Sequence, residues 1–159
     1  VAAVANRGWW IRPHVVRSIN GTPIDDPAFT TINKTTINPE HFSVIIQGMN
    51  DVFESGTASA SRLEGLPMAG KTGTAQNPHG QDHSIFTSFA PLNKPKIAIA
   101  IIVENGYWGS RWAAPIASLM MESYLHDSIS RPDLYRRMVE GSLTGEYRVN
   151  SVQTELPPY

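Results

Sequence analysis

The chain has 159 residues, a formal net charge of −1, 41% hydrophobic and 17% charged residues, and no cysteine. This composition supports a buried core rather than general disorder, and its near-neutral charge offers no footprint for nucleic acid and no polybasic membrane patch. The missing cysteines exclude disulfides, cysteine-bound zinc and thiol nucleophiles.

Val1-Ala2-Ala3-Val4-Ala5 reads like the end of a helix already under way, so the amino terminus is expected to be a cut, with any targeting segment upstream. Arg7-Gly8 stops it, as a glycine past a helix end does. The β-branched alternation of residues 12–19 predicts a strand. Asn20-Gly21 signals a hairpin turn, and Pro23 and Pro27 confine the next residues to a loop or an edge strand.

Asn38-Pro39-Glu40 has the chemistry of a helix start, with a capping side chain, proline at the first position and an acid in the first turn. Phe42, Ile45, Ile46, Met49, Val52 and Phe53 follow on one helical face, and Ser55-Gly56 ends the helix. Residues 56–70 read as a loop and residues 71–74 as a strand. A loop around Asn77-Pro78-His79-Gly80 precedes a second strand over 84–90. The run 96–104 is apolar on both faces, which predicts a central strand covered on both sides. Its largest uninterrupted apolar stretch, Ile97–Val103, is too short to span a bilayer. The five-residue connection 91–95 favours an antiparallel hairpin. A helix is expected over 112–126, with Pro115 in its first turn, and a short one over 132–140. Residues 150–159 read as a loose tail. This order gives an α+β fold, an antiparallel sheet flanked by helices.

The most informative stretch is Gly65-Leu66-Pro67-Met68-Ala69-Gly70-Lys71-Thr72-Gly73-Thr74. It satisfies two patterns. Residues 65–72 spell G-x-x-x-x-G-K-T, a phosphate-binding loop in which Lys71 would meet phosphate and Thr72 magnesium. Such a loop follows an apolar strand and opens a helix. Here a polar stretch precedes it, and Gly73, Pro78 and Gly80 follow. Lys71-Thr72-Gly73 is also the K-T-G triplet of serine penicillin-recognising enzymes. That chemistry needs a strand. Gly73 lets a substrate backbone lie against the strand edge, the hydroxyls of Thr72 and Thr74 can bond a carboxylate, and Lys71 adds positive charge.

The triplet stands in an ordered series. Asn6-Arg7-Gly8, Arg12-Pro13-His14, Gly56-Thr57-Ala58 and Gly70-Lys71-Thr72-Gly73-Thr74-Ala75-Gln76 resemble the transpeptidase domain of class B penicillin-binding proteins. Asp82-His83-Ser84-x-Phe86, Phe89-Ala90-Pro91, Val103-Glu104-Asn105-Gly106 and Ala113-Ala114-Pro115-Ile116-Ala117 continue the series and look most like the wall-elongation members. The resemblance covers residues 1–125. It implies the carboxy-terminal part of the penicillin-binding transpeptidase (β-lactamase-like) fold, with residues 1–128 in the domain and 129–159 a partly disordered extension.

It also implies a peptidoglycan D,D-transpeptidase that cross-links stem peptides ending in D-Ala-D-Ala through a serine acyl-enzyme and binds β-lactams, with no cofactor or metal. Lys71 would be catalytic, and Thr72, Gly73 and Thr74 would bind substrate. Implied partners are the upstream half of the same protein and a wall-elongation glycan polymerase. The implied location is the periplasmic face of the inner membrane.

The family's nucleophile lies in S-x-x-K, and no S-x-x-K occurs in these 159 residues; Thr31-Ile32-Asn33-Lys34 has threonine in its place. Ser18-Ile19-Asn20 spells the family's S-x-N but lies at a strand end, after which a turn is expected. The chain alone is therefore expected to be inactive, and to self-associate through exposed apolar surface and an open sheet edge. The alternatives are a nucleotide-binding loop at 65–72 and a non-catalytic peptide-binding module.

His79 and His83 flank Asp82 with helical metal-site spacing, but Pro78 and Gly80 make this a loop; in the resemblance His83-Ser84 opens the strand beside K-T-G, which implies a packing or hydrogen-bond role for His83. Trp9-Trp10 and Tyr107-Trp108 read as rim aromatics rather than a binding platform. Arg131, Arg136 and Arg137 read as a solvated helix face.

Overall fold

The computed structural model describes residues 1–144. The tail expected over 150–159 lies outside the described residues. At the amino terminus, α1 (Ala2–Ala5) ends at Arg7 and Gly8, both with positive φ. A methyl at Gly8 would come 2.9 Å from Thr35 Oγ1, so this turn needs glycine for space as well as for φ. β1 (Trp9–Trp10) follows, then β2 (Ser18–Ile19), β3 (Thr22–Pro23), α2 (Pro27–Thr30) and β4 (Asn33–Lys34), which pairs antiparallel with β1.

The strand expected over 12–19 shortens to β2, because Arg12 to Arg17 form no ladder. The turn is as expected: Asn20 and Gly21 both take positive φ and join β2 to β3 as a two-residue hairpin. Pro23 sits in a short edge strand and Pro27 opens α2.

A 3₁₀ turn (Pro39–His41) leads into α3 (Phe42–Glu54). Asn38 makes no capping bond through its side chain; proline supplies the start. The buried stripe of α3 is Phe42, Ile46, Asn50 and Phe53, while Ile45 is exposed. Met49 and Val52 pack beside it, so of the expected apolar face only Ile45 is exposed, and Asn50 joins the stripe. Asn50 can join it because its amide donates to the Met68 carbonyl at 2.8 Å, which satisfies a buried polar group. A second 3₁₀ turn (Ser59–Ser61) interrupts the expected loop.

The main sheet has three antiparallel strands in the order β5 (Ala69–Ala75), β6 (His83–Ala90) and β7 (Ile97–Val103). In its register Thr72 faces Phe86 and Phe86 faces Ile101; on the opposite face Gly73, Ile85 and Ile102 align. The first face packs on α4 (Ala113–His126), where Phe86, Ala113, Ala114, Ala117 and Met121 share a core with Phe53 of α3. Phe53 meets Phe86 edge-on with ring centroids 5.5 Å apart. Gly70 makes this contact possible, since a methyl there would lie 2.5 Å from the Phe86 ring.

The other face is covered only at one end, where Ala69 and Phe89 pack with Ala5, Phe42 and Ile46. β7 is therefore not a covered central strand. It is a sheet edge among the described residues, and Ala98, Ala100 and Ile102 are exposed.

α5 (Pro132–Glu140) packs against α4. Arg131, just before it, is not on a solvated face. Its guanidinium binds the buried Glu122 carboxylate at 2.8 Å and donates to the Ser61 and Arg62 carbonyls and to Ser118 Oγ. Arg136 does sit on an open face, paired with Asp133, and Arg137 donates to the Arg111 carbonyl. Among the described residues no helix is long and apolar enough to cross a membrane.

Candidate functional site

Lys71, Thr72, Gly73 and Thr74 all lie within β5. β5 pairs with β6 on one side, and no strand pairs with its outer edge among the described residues. An open edge can accept an extended peptide as an additional strand. Strand alternation puts Thr72 and Thr74 on one face and Lys71 and Gly73 on the other.

Lys71 and Thr74 are exposed, and Thr72 and Gly73 are half-buried. The Lys71 ammonium donates to the Thr72 carbonyl at 2.8 Å, which folds it along its own strand edge. A methyl at Gly73 would rest 3.4 Å from Ile85 Cβ, an ordinary contact. The chain's own packing therefore does not demand glycine there, which leaves close approach by another molecule as a reason for it.

Two loops frame the strand. The loop before α4 reaches over the Thr72 face through Gly109. A methyl at Gly109 would lie 2.4 Å from the Ile85 carbonyl and 3.3 Å from Thr72 Cβ. This contact had no sequence signal, because its reason is a tertiary approach and not a turn. The exposed Trp108 stacks tilted on Tyr107 with centroids 5.4 Å apart. On the other side the turn after α3 presents Thr57, whose Oγ1 lies 3.4 Å from Thr72 Oγ1. Thr57 belongs to the small-residue series Gly56-Thr57-Ala58, but nothing in its local sequence marked it as a contact of Thr72.

The end of the strand is held by polar staples. Asn105 takes positive φ, and its N–H donates to His83 Nδ1 at 3.0 Å. That is the hydrogen-bonding role expected of His83. Asn77 Nδ2 donates to Asn105 Oδ1 at 3.0 Å, and the Asn77 N–H to Asp82 Oδ1 at 3.2 Å. The buried Ser84 donates to the Trp108 carbonyl and accepts the Ala113 N–H, one of the orphan amides at the start of α4. Among the described residues no group of three or more His, Cys, Asp or Glu could hold a metal ion.

The phosphate-loop alternative loses its geometry. Residues 65–68 follow a 3₁₀ turn instead of a strand, and Lys71 and Thr72 sit inside a strand that opens no helix. The backbone amides and dipole of a helix start are therefore missing where phosphate would need them. Ser18 and Asn20, the S-x-N spelling, lie in the β2–β3 hairpin, away from the main sheet.

Comparison with known proteins gives the same picture. The family model of the penicillin binding protein transpeptidase domain matches residues 1–122. Peptidoglycan D,D-transpeptidase MrdA of Acinetobacter baumannii is 35% identical over 145 residues, covering 78% of this chain and 21% of that protein. The crystal structure of Pseudomonas aeruginosa PBP2 in complex with WCK 5153 matches with a TM-score of 0.68 and 38% identity, over 81% of this chain and 29% of that one. Penicillin-binding protein A of M. tuberculosis, solved as a ceftriaxone acyl-enzyme, matches with a TM-score of 0.65 and 29% identity, over 78% of this chain and 30% of that one. The chain thus spans less than a third of the length of each of these three proteins. With most of its residues matched by the family model and its fold shared with solved members, the chain belongs to the penicillin-binding protein transpeptidase domain family.

Proposed function

We propose that this chain is the carboxy-terminal part of a peptidoglycan D,D-transpeptidase, and that β5 supplies one wall of its active site. The observation that carries this is the placement of Lys71-Thr72-Gly73-Thr74 on the open edge of the sheet, with both threonine hydroxyls on one face. A stem peptide ending in D-Ala-D-Ala adds along this edge, and Gly73 removes the side chain that would hold it off. Thr72 and Thr74 donate to the terminal carboxylate. Lys71 supplies positive charge beside that carboxylate and beside the proton-transfer groups of the nucleophile.

The nucleophile comes from an upstream segment of the parent protein. Its serine Oγ attacks the penultimate carbonyl, D-alanine leaves with the proton, and the acyl-enzyme passes to an amine of a neighbouring stem peptide. A β-lactam intercepts the first step by acylating the same serine. The uncovered face around Lys71, Gly73, Ile85 and Ile102 fits docking of that upstream segment. In this reading residues 1–128 complete the domain and 129–159 form an extension. The parent protein works at the periplasmic face of the inner membrane, beside a glycan polymerase.

Intact mass after incubation with a β-lactam tests the proposal, on this chain alone and on this chain co-expressed with the upstream part of its parent. The expected result is no adduct alone and one covalent adduct on the upstream polypeptide in the pair. An adduct on these 159 residues overturns the assignment, with Ser18 the first suspect. Binding of D-Ala-D-Ala peptides by the pair without any adduct would favour the non-catalytic peptide module.

A further inference from the structure

We infer that Thr57 is a positioning residue for the site strand, orienting the Thr72 hydroxyl towards the substrate carboxylate. The inference rests on the proposed transpeptidase reading. The two Oγ1 atoms lie 3.4 Å apart, and either could donate. A hydroxyl has one proton to give and two lone pairs to accept with. A carboxylate beside Thr72 fixes the direction. Thr72 must donate to the anion, so its lone pair is free for the Thr57 proton. The chain Thr57 O–H to Thr72 O–H to carboxylate is then aligned, and each bond polarises the next.

The backbone around Thr57 is built to hold this geometry. Gly56 is pressed against the end of α3, where a methyl would lie 2.7 Å from Val52 Cα. The Ala58 N–H donates to the Val52 carbonyl at 3.0 Å, and the Ala58 side chain is buried in the core. Thr57 stands exposed between these two fixed neighbours. The far end of the same turn is clamped by Arg131, which donates to the Ser61 carbonyl at 3.0 Å and the Arg62 carbonyl at 3.3 Å. Gly109 also approaches Thr72, where a methyl would lie 3.3 Å from Thr72 Cβ. An exposed turn residue has no need of this bracing for its own stability.

The test uses the parent protein and two probes, a fluorescent penicillin and the same penicillin with its carboxylate methylated. Acylation rates are compared for wild type, Thr57→Val and Thr57→Ser. Loss of one aligned hydroxyl should slow acylation by the acid about tenfold in Thr57→Val, while Thr57→Ser stays within about twofold of wild type. The methyl ester should react at one common slow rate in all three, because its carboxylate no longer selects the donor. Equal acid rates in wild type and Thr57→Val overturn the inference, as does a parallel loss for acid and ester, which marks a merely structural residue. A wild-type parent that forms no adduct sinks the transpeptidase reading, and this inference falls with it.

Discussion

Arg131 and Glu122 form a buried ion pair, with Nη2 2.8 Å from Oε2 and only 18% and 1% of the two side chains exposed. Ser130 adds its N–H and hydroxyl to the other carboxylate oxygen. The pair joins α4 to the segment leading into α5, and through the Ser61 and Arg62 carbonyls it also holds the turn after α3. Removing one partner strands the other charge in a site that water reaches poorly. Arg131→Met should therefore destabilise the chain by roughly 3–5 kcal/mol. Replacing both by Glu122→Leu and Arg131→Met should cost much less, since no orphan charge remains. Urea denaturation of the two singles and the double reads this directly, and an additive double variant would contradict it.

The same carboxylate sets an acid limit. Burial alone would raise the Glu122 pKa, but the Ser130 hydroxyl and N–H and the Arg131 guanidinium outweigh it and hold the group below its ordinary 4.5. A depressed folded-state pKa contributes stability that is fully present above the unfolded value and lost as pH falls through the folded one. The contribution is thus intact at neutral pH and disappears only under acid conditions below the ordinary carboxylate range. Glu122→Gln should flatten this part of the stability-against-pH curve, followed by urea midpoints from about pH 7 to pH 3. A wild type and a variant with parallel curves would remove Glu122 from the account.

Much of this molecule is legible in its sequence, and the exceptions have physical reasons. The Asn20-Gly21 hairpin and the β5–β6–β7 order follow from local turn chemistry and alternation, which act within a few residues. The stripe of α3 is legible except at Ile45, which is exposed, and at Asn50, which counts as polar until Met68 offers its carbonyl. Arg131 looked like its neighbours Arg136 and Arg137, and nothing nearby in sequence identifies a partner nine residues back on another helix. The β7 pattern predicts a strand covered on both faces. Here one of those faces is open, and the apolar Ala98, Ala100 and Ile102 stand ready for a cover. At the site, the triplet was readable because its spacing is contiguous. The approach of Thr57 and Gly109 to Thr72 is not, because it brings two loops to a strand that are distant from one another in sequence.

Gly73 separates folding from function. Its hypothetical methyl meets Ile85 at ordinary contact distance, and its φ is not in the left-handed region. Gly73→Ala should leave stability within about 1 kcal/mol of wild type, or raise it slightly by restricting the unfolded chain. In the proposed transpeptidase reading the same methyl stands on the face that also carries Lys71, beside the path of an added peptide strand. β-Lactam acylation should then fall by about tenfold or more. Thermal melting together with acylation kinetics checks both halves. A variant that melts early, or one that acylates normally, would show that Gly73 serves the fold or nothing at all.

The two open edges of the sheet differ in how well they resist pairing. β5 carries the charged Lys71 and the flexible Gly73, and charged side chains discourage edge-to-edge association. β7 reads Ile97-Ala98-Ile99-Ala100-Ile101-Ile102-Val103, with no charge and with Ile102 65% exposed. Association of the 159-residue chain should therefore run through β7, with a second copy adding a strand to its edge and covering Ile102. Light scattering should show an average mass that climbs with concentration for the wild-type chain. Ile102→Lys places a charge on the face that a partner sheet would bury and should hold the chain at the monomer mass, while Lys71→Ala on the other edge should leave β7-driven association in place. A wild-type chain that stays monomeric at high concentration would mean that the open apolar face is tolerated in water, and that the exposed β7 edge needs no cover.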